Sequence, residues 1–264
     1  MLAGEMGSRS RMRKRAYEQV QRGNAHRLTV KQHIFPAASI ARFAGPDGRV
    51  ALFDLKRRAS WRPAPDDQVF CARRVWDQRA ETGYMRAIED AFQDLAGRVT
   101  ADPGRDLSPE DDDAAGRFFA LWRGRAAYRS APDGLIPLNG IEGDVLTRDQ
   151  EERLESRWTG FVRPGGVPAR QLYGLCIQRD IDALADRLSE RRWGVLALAE
   201  GELIVPDSPE RLFIPLTPTL CLAWGHETGT ILGEDAALLN RTFLAGCKDY
   251  WFCRTAPGYG LETG

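Results

Sequence analysis

The sequence has no long apolar run and no excess of either charge. No apolar stretch approaches the roughly 20 residues that cross a bilayer. The first residues also lack the apolar core of a secretory signal. We therefore expect a cytoplasmic protein with no membrane partner. Lysine plus arginine (37) equals aspartate plus glutamate (37), so the molecule as a whole has no field that attracts nucleic acid.

Several sequence signatures of known sites are also missing. The five cysteines include no C-x-x-C pair, which argues against a zinc site or a disulfide framework. There is no P-loop, no G-x-G-x-x-G, no H-E-x-x-H and no Ser-His-Asp order. We therefore expect no nucleotide cofactor.

The charge is uneven along the chain, because the opening segment is basic. Its cations face only Glu5 and Glu18; up to residue 29 they are Arg9, Arg11, Arg13, Lys14, Arg15, Arg22 and Arg27. Such an arm can bind phosphates, and the alternative is a solvated terminus. We predict an arm over residues 1–29, a single domain over 30–256 and a flexible tail over 257–264. The residues up to Arg22 are expected to be mobile or to extend from the body.

The domain shows strand patterns at both ends and helix patterns in the middle. A largely apolar run over residues 49–55 follows a turn that ends at Gly48, and the loop after it places Arg57, Arg58 and Arg62 around Trp61. Residues 193–199 and 203–206 predict a hairpin, and residues 250–253 predict a last strand. The order favours an α+β fold, with a mixed or antiparallel sheet from N- and C-terminal strands and a central block of helices packed on it.

Three features locate the central helices. Residues 84, 88, 92 and 95 are apolar at helical spacing. Ser108 before Pro109 and an acidic turn is a helix start, and Thr147 caps another helix that carries Trp158 as a core residue. Leu175 is predicted on the buried face of a later helix.

A set of short motifs resembles one bacterial family. Gln32 to Phe43 reads QH-x-x-P-x-x-x-I-x-x-F, and the later motifs are Ile88-Glu89, Leu107-Ser108-Pro109-Glu110-Asp111, Arg125 with Arg129, and Asp207-Ser208-Pro209. In order and spacing they resemble the domain-of-unknown-function family 4238 over about residues 30–254. The resemblance implies a bacterial protein and brings no settled activity with it.

The polar residues of these motifs suggest a metal site. His33, Glu89 and Asp207 are candidate catalytic residues and ligands of a divalent ion, Mg²⁺ or Mn²⁺. Such an ion can lower the pKa of a bound water to about 7. The candidate substrate-binding residues are Arg125, whose guanidinium suits a phosphoryl oxygen, and Arg42, Arg129 and Asn240.

The same residues also have structural interpretations. His33 could bond a buried carbonyl, Glu89 and Arg125 could form a buried ion pair between helices, and Asp207 could form a turn. The first functional hypothesis is a metal-dependent phosphodiester hydrolase, nuclease-like, that acts on nucleic acid through the basic arm. The alternative is a non-catalytic module of a bacterial multi-protein system that binds nucleic acid or a protein partner. A purely structural partner in such a system is the third hypothesis.

Overall fold

The computed structural model describes residues 17–140, 142 and 145–255. The predicted tail over 257–264 and residues 1–16 of the predicted arm lie outside the described residues. None of the described helices is long and apolar enough to cross a membrane.

Helices form the centre of the chain. They are α1 (Ala37–Ala41), α2 (Gln78–Thr82), α3 (Tyr84–Ala101), α4 (Pro109–Tyr128), α5 (Arg148–Ser156), α6 (Ala169–Leu188) and α7 (Gly233–Gly246). The start of α4 is the predicted one. Ser108 Oγ accepts from the Asp111 amide at 3.2 Å, and the Asp111 carboxylate accepts from the Ser108 amide at 3.1 Å. Two otherwise unpaired amides are thereby satisfied.

Short strands lie before and after the helices. They are β1 (Lys31–His33), β2 (Ala51–Asp54), β3 (Ala59–Trp61), β4 (Cys71–Arg73), β5 (Leu135–Pro137), β6 (Gly166–Pro168), β7 (Trp193–Leu198), β8 (Val205–Pro206), β9 (Phe213–Thr217), β10 (Leu220–Trp224), β11 (Gly229–Ile231) and β12 (Tyr250–Cys253). Two four-stranded sheets have the orders β11-β7-β10-β9 and β3-β2-β12-β8. Two smaller sheets pair β1 with β4 and β5 with β6.

The α+β class is confirmed. The N- and C-terminal strands, which were expected in one sheet, are distributed over two four-stranded sheets and a smaller one. The N-terminal β2 pairs with the C-terminal β12, with Ala51 opposite Cys253. The predicted hairpin over 193–206 is wrong, because β7 pairs with β10 and β11 while β8 pairs with β12. Residues 199–204 carry the chain from one sheet to the other. Partners distant in sequence decide these pairings, and a local turn signal does not show them.

The three long helices pack against one another and share one core with strands of both large sheets. Phe92 of α3 stacks on Phe118 of α4 with ring centroids 3.5 Å apart. Leu52 of β2 and Val195 of β7 belong to the same buried cluster, so the two sheets have a common interior. A Cβ on Gly124 of α4 would come within 3.1 Å of Ile177 of α6, which shows how closely these two helices approach.

Two predicted core residues are exposed instead. Leu175 is 47% exposed, because α6 turns Gly174 and Ile177 toward its neighbours. Trp158 is 53% exposed. It follows the end of α5 at a φ of 62°, and its indole N–H donates to Thr82 Oγ1 at 3.1 Å.

The described part of the arm lies against the body. The Gln21 amide donates to Glu152 Oε1 at 2.8 Å, and His26 Nε2 lies 2.8 Å from Asp149 Oδ1. Glu18 forms ion pairs with Arg163 and Arg170. The expectation that the chain extends away up to Arg22 is therefore wrong for residues 17–22.

Candidate binding cleft

A cleft of about 940 Å³ opens where the N-terminal segment, the β2–β3 turn, β4 and the residues after α4 meet. Its size falls in the range of ligand sites. Residues from six parts of the chain line it: Tyr17, Asp54, Lys56, Arg57, Trp61, Asp67, Gln68, Val69, Cys71, Ala72, Arg73, Val75, Arg129, Ser130, Ala131, Pro132, Asp133, Tyr173 and Asp249.

Arg129 lies one residue beyond the end of α4, and its mostly buried side chain lines the cleft. Its Nη1 is 3.3 Å from Asp207 Oδ2 and 3.6 Å from Asp249 Oδ2. The guanidinium also lies over the ring of Tyr250, 5.2 Å from the centroid. A cation suits the partial negative charge of a helix C-terminus. Because Arg129 is already ion-paired with two carboxylates, we assign it a structural role in stabilising the wall of the cleft.

Most carboxylates of the cleft accept bonds from neighbouring backbone amides. Asp54 Oδ1 accepts from the amides of Lys56 and Arg57, each at 2.8 Å. Asp67 Oδ1 accepts from the Val69 amide at 2.9 Å, and Asp133 Oδ1 accepts from the Gly134 amide at 2.8 Å. These acidic groups therefore order the turns of the cleft wall, and part of their accepting capacity is used there.

Three cations of the cleft retain free donors. Arg73 is exposed, and no carboxylate among the described residues lies within 4.0 Å of it. Lys56 pairs with Asp249, and Arg57 is 3.8 Å from Asp54. The Lys56 and Arg57 side chains are 73% and 75% exposed. Ion pairs this exposed contribute about 0–1 kcal/mol to stability. An anionic ligand could therefore replace Asp249 and Asp54 as the partner of these cations.

Aromatic rings accompany these cations. Tyr17, Trp61 and Tyr173 are half-buried and line the cleft. The ring of Tyr17 lies under the Arg73 guanidinium, 5.4 Å from centroid to carbon. Tyr173 donates its hydroxyl to the Pro132 carbonyl at 2.8 Å. Rings and guanidinium groups together can hold flat, anionic molecules.

Two of the residues predicted from sequence are ion-paired inside the body. Arg125 is 1% exposed; its Nη1 bonds Glu89, and its Nη2 lies 3.3 Å from Glu81 Oε2. Trp76 Nε1 also donates to Glu81, at 2.6 Å. Burial raises the pKa of Glu81, while burial of Arg125 is outweighed by the two carboxylates, which raise its pKa. The structure thus shows the ion pair between helices that was the alternative to a phosphate contact.

His33 lies in β1 near this ion pair. Its Nε2 is 3.3 Å from the carbonyl oxygen of Pro65, the contact expected of a structural histidine. Burial lowers the pKa of His33, and the charge of Glu89 opposes that shift only in part. A neutral imidazole that donates to this carbonyl satisfies both groups.

Asp207 belongs to a different group of residues, at the end of β8. Its Oδ1 accepts from the Lys248 amide and its Oδ2 from the Asp249 amide, both at 2.9 Å. Burial raises the pKa of Asp207 in spite of these amides and of Arg129. Within the described part of the chain, no group of three His, Cys, Asp or Glu side chains could hold a metal ion. The metal site remains a prediction that this geometry does not support.

The remaining predicted residues also bond within the fold. Arg42 Nη2 donates to Gln93 Oε1 at 2.7 Å. Asn240 Oδ1 accepts from the Ile204 amide at 3.0 Å, and its Nδ2 donates to the Glu202 carbonyl at 2.7 Å. Asn240 therefore fastens the connection between β7 and β8 to α7.

Of the predicted site residues, Arg129 alone lines the cleft. Sequence reasoning missed Lys56, Arg57 and Arg73 as site residues. The arginines around Trp61 were a signal for part of this set, because cations next to an aromatic ring are typical of anion-binding surfaces. Arg73 had no such signal, since only the pairing of β4 with β1 directs it to the cleft.

Comparison of the chain with protein-family models, with curated proteins and with solved structures finds no match. The resemblance to family 4238 therefore stays a prediction, carried by the motifs between Gln32 and Pro209. The function has to be inferred from the geometry of the cleft.

Proposed function

We propose that the protein is a non-catalytic binding module that holds single-stranded nucleic acid in the cleft. The observation that carries the proposal is the free donor capacity of Lys56, Arg57 and Arg73 on one concave surface, next to aromatic rings. Proteins that bind single strands combine a cationic groove with side chains on which bases stack.

The proposal gives the cleft residues distinct roles. Lys56, Arg57 and Arg73 contact phosphates, while Tyr17 and Trp61 offer ring faces to bases. A base stacked on an aromatic side chain contributes about 1–3 kcal/mol. Arg129 stays with Asp207 and Asp249 and supports the wall. A double helix is a poorer ligand, because its bases are already stacked and cannot reach the rings.

The basic residues at the start of the chain agree with this ligand. Arg9, Arg11, Arg13, Lys14 and Arg15 precede Tyr17 directly in sequence, and Tyr17 lines the cleft. Their charge would add affinity that does not depend on sequence. The neutral total charge of the chain is compatible with this ligand, since these cations are concentrated in one stretch of the sequence.

The hydrolase hypothesis has less support from the geometry. Glu89 is paired with Arg125, and Asp207 is held by two amides and Arg129. Both carboxylates therefore already have partners within the protein. A cleft in which cations rather than carboxylates are free suits binding better than metal-assisted hydrolysis.

The test is fluorescence anisotropy with labelled single-stranded RNA and DNA of about 20 nucleotides, longer than one such site. We expect the parent to bind at low salt and to lose affinity as salt rises. Each single-strand phosphate contact contributes about 0.7 to the slope of log K against log salt. The double variant Arg57→Ala/Arg73→Ala should therefore lower that slope by about 1.4.

Arg86→Ala is the matched control, because Arg86 is 66% exposed and lies on α3 outside the cleft lining. It should bind like the parent. Absence of binding by the parent at low salt, or equal binding by the double variant, would rule out this ligand and favour a protein partner. Cleavage of the probe on addition of Mg²⁺ or Mn²⁺ would restore the hydrolase hypothesis.

A further inference from the structure

Glu18 sits among three arginines of the body. Its Oε1 is 2.6 Å from Arg163 Nη2, and its Oε2 is 2.7 Å from Arg170 Nη1. Its backbone carbonyl accepts from Arg74 Nη1 at 3.1 Å. Two guanidinium groups thus bind the Glu18 carboxylate, and a third donates to the backbone carbonyl of the same residue.

The arginines are balanced only while Glu18 is in place. Arg74 and Arg170 both bond Glu155, and Arg163 bonds Glu151. The side chains of Arg74, Arg170 and Glu155 are between 2% and 4% exposed. Without Glu18, the three guanidinium groups keep direct ion pairs with Glu151 and Glu155, and Arg170 loses one of its two carboxylate partners at a place with little water around it. Loss of a partner is unfavourable for a buried charge, so an anion is favoured there.

We propose that Arg74, Arg163 and Arg170 form an oxyanion receptor whose resident ligand is Glu18, and that a carboxylate or phosphate from solution takes its place when Glu18 leaves. Guanidinium groups match both anions in geometry, because each presents paired N–H donors. Glu18 thereby acts as a clasp for the segment 17–29, and an anion that occupies the receptor releases that segment.

The receptor is open to solution on one side. A pocket of about 560 Å³ reaches Glu18 and Arg163, and Val145 and Arg148 also line it. Burial of Glu18 would raise its pKa, but the bond from Arg163 and the charge of Arg170 lower it overall. Glu18 is therefore held as a carboxylate at neutral pH, and an anion can enter beside it.

The other contacts of the segment include an ion pair with an exposed carboxylate. The Gln21 amide bonds Glu152, and His26 pairs with Asp149, which is 62% exposed. Loss of the clasp should therefore free the chain around Arg22 and Arg27, both of which are exposed. Because Tyr17 precedes Glu18 and lines the cleft, release also removes one wall of the cleft. The inference itself does not depend on what the cleft binds.

Limited trypsin digestion of the full chain tests the clasp, with mass spectrometry to follow cleavage after Arg22 and Arg27. We expect Glu18→Ala to be cut there about tenfold faster than the parent or more, since a partly buried ion pair has been broken. Glu190→Ala, which removes an exposed carboxylate elsewhere, is the control and should match the parent.

Inorganic phosphate tests the receptor. In Glu18→Ala, phosphate should raise the melting temperature by about 2–4 °C above sodium chloride of equal ionic strength. In the parent the gain should be smaller, because Glu18 fills the site. Glu18→Gln, which keeps the length of the side chain, serves if the alanine variant fails to fold.

Two results would overturn the inference. One is cleavage of both Glu18 variants at the parent rate. The other is an equal effect of phosphate and chloride on the variants. Neither measurement contains nucleic acid, so failure here is distinguishable from failure of the proposed function.

Discussion

The interior around Arg125 and the cleft around Arg73 handle the same kind of charge in opposite ways. Arg125 is 1% exposed and pairs with Glu81 and Glu89. Arg73 is exposed, and its described partner is the ring of Tyr17. An arginine that is buried away from water needs carboxylate partners to offset its desolvation. An arginine in an open cleft stays hydrated and can remain unpaired, so that it is available to a ligand.

This difference explains why the motif residues suggest a site in the sequence and yet have little free bonding capacity in the structure. Glu89 and Arg125 lie among apolar residues, where sites are often found, but each satisfies the other. The free donors belong to Lys56, Arg57 and Arg73, at turns and on a short strand. The proposed ligand-binding surface therefore rests on unused bonding capacity and not on burial within a motif.

The largest expected effect comes from breaking the interior pair. Arg125→Met leaves Glu81 and Glu89 without their cation, so the free energy of unfolding should fall by about 3–5 kcal/mol. Urea denaturation measures it. Arg86→Ala, whose ion pair with Asp90 is exposed, should cost no more than about 0.5 kcal/mol. A loss below about 1 kcal/mol for Arg125→Met would mean that the interior pair resembles a surface pair.

The next effect concerns Asp207, which links the interior to the cleft through Arg129. Asp207→Ala leaves two amides and Arg129 without an acceptor, so we expect a loss of about 2–4 kcal/mol in the same assay. Asp207→Asn keeps one acceptor and should lose less.

The metal hypothesis is tested on the same residue, together with His33. A divalent ion that raises the melting temperature of the parent, but not that of Asp207→Ala or His33→Ala, would contradict the structural interpretation of both residues. If both variants melt many degrees lower and no ion affects the parent, the residues are structural.

The smallest effect is the pH dependence of the Glu18 clasp. Glu18 is partly buried, so its surroundings are intermediate between those of the buried Arg125 and the exposed Arg73. Its folded pKa is lowered from the ordinary value of 4.5, so its contribution is complete above that value and is lost as pH falls through the folded pKa. Glu18→Gln should be less stable than the parent by about 1–2 kcal/mol at neutral pH. Denaturant unfolding at several pH values should show that difference shrink below 4.5. A difference that does not change with pH would remove the charge of Glu18 from the explanation.

Helix starts were predictable from sequence because their determinants are local. Ser108 and Thr147 each accept from the amide three residues later, Pro109 has no amide of its own to satisfy at the first helical position, and both helices begin where predicted. The hairpin predicted over 193–206 is wrong, because β8 finds its partner in β12, more than forty residues later, and no local signal shows that pairing. The same distance hid the cleft: Arg73, Arg129 and Asp249 meet only after the sheets and α4 have packed.

The sequence by itself determined the α+β class and the capped starts of the central helices. Hydrophobic periodicity and caps suffice for these features, since each acts over a few residues. The tertiary structure alone decided which charged side chains are ion-paired inside the protein and which keep donors available to a ligand. Whether Arg125 finds Glu89, or Arg73 finds no carboxylate among the described residues, depends on contacts between distant segments and on the exclusion of water from one place and not the other.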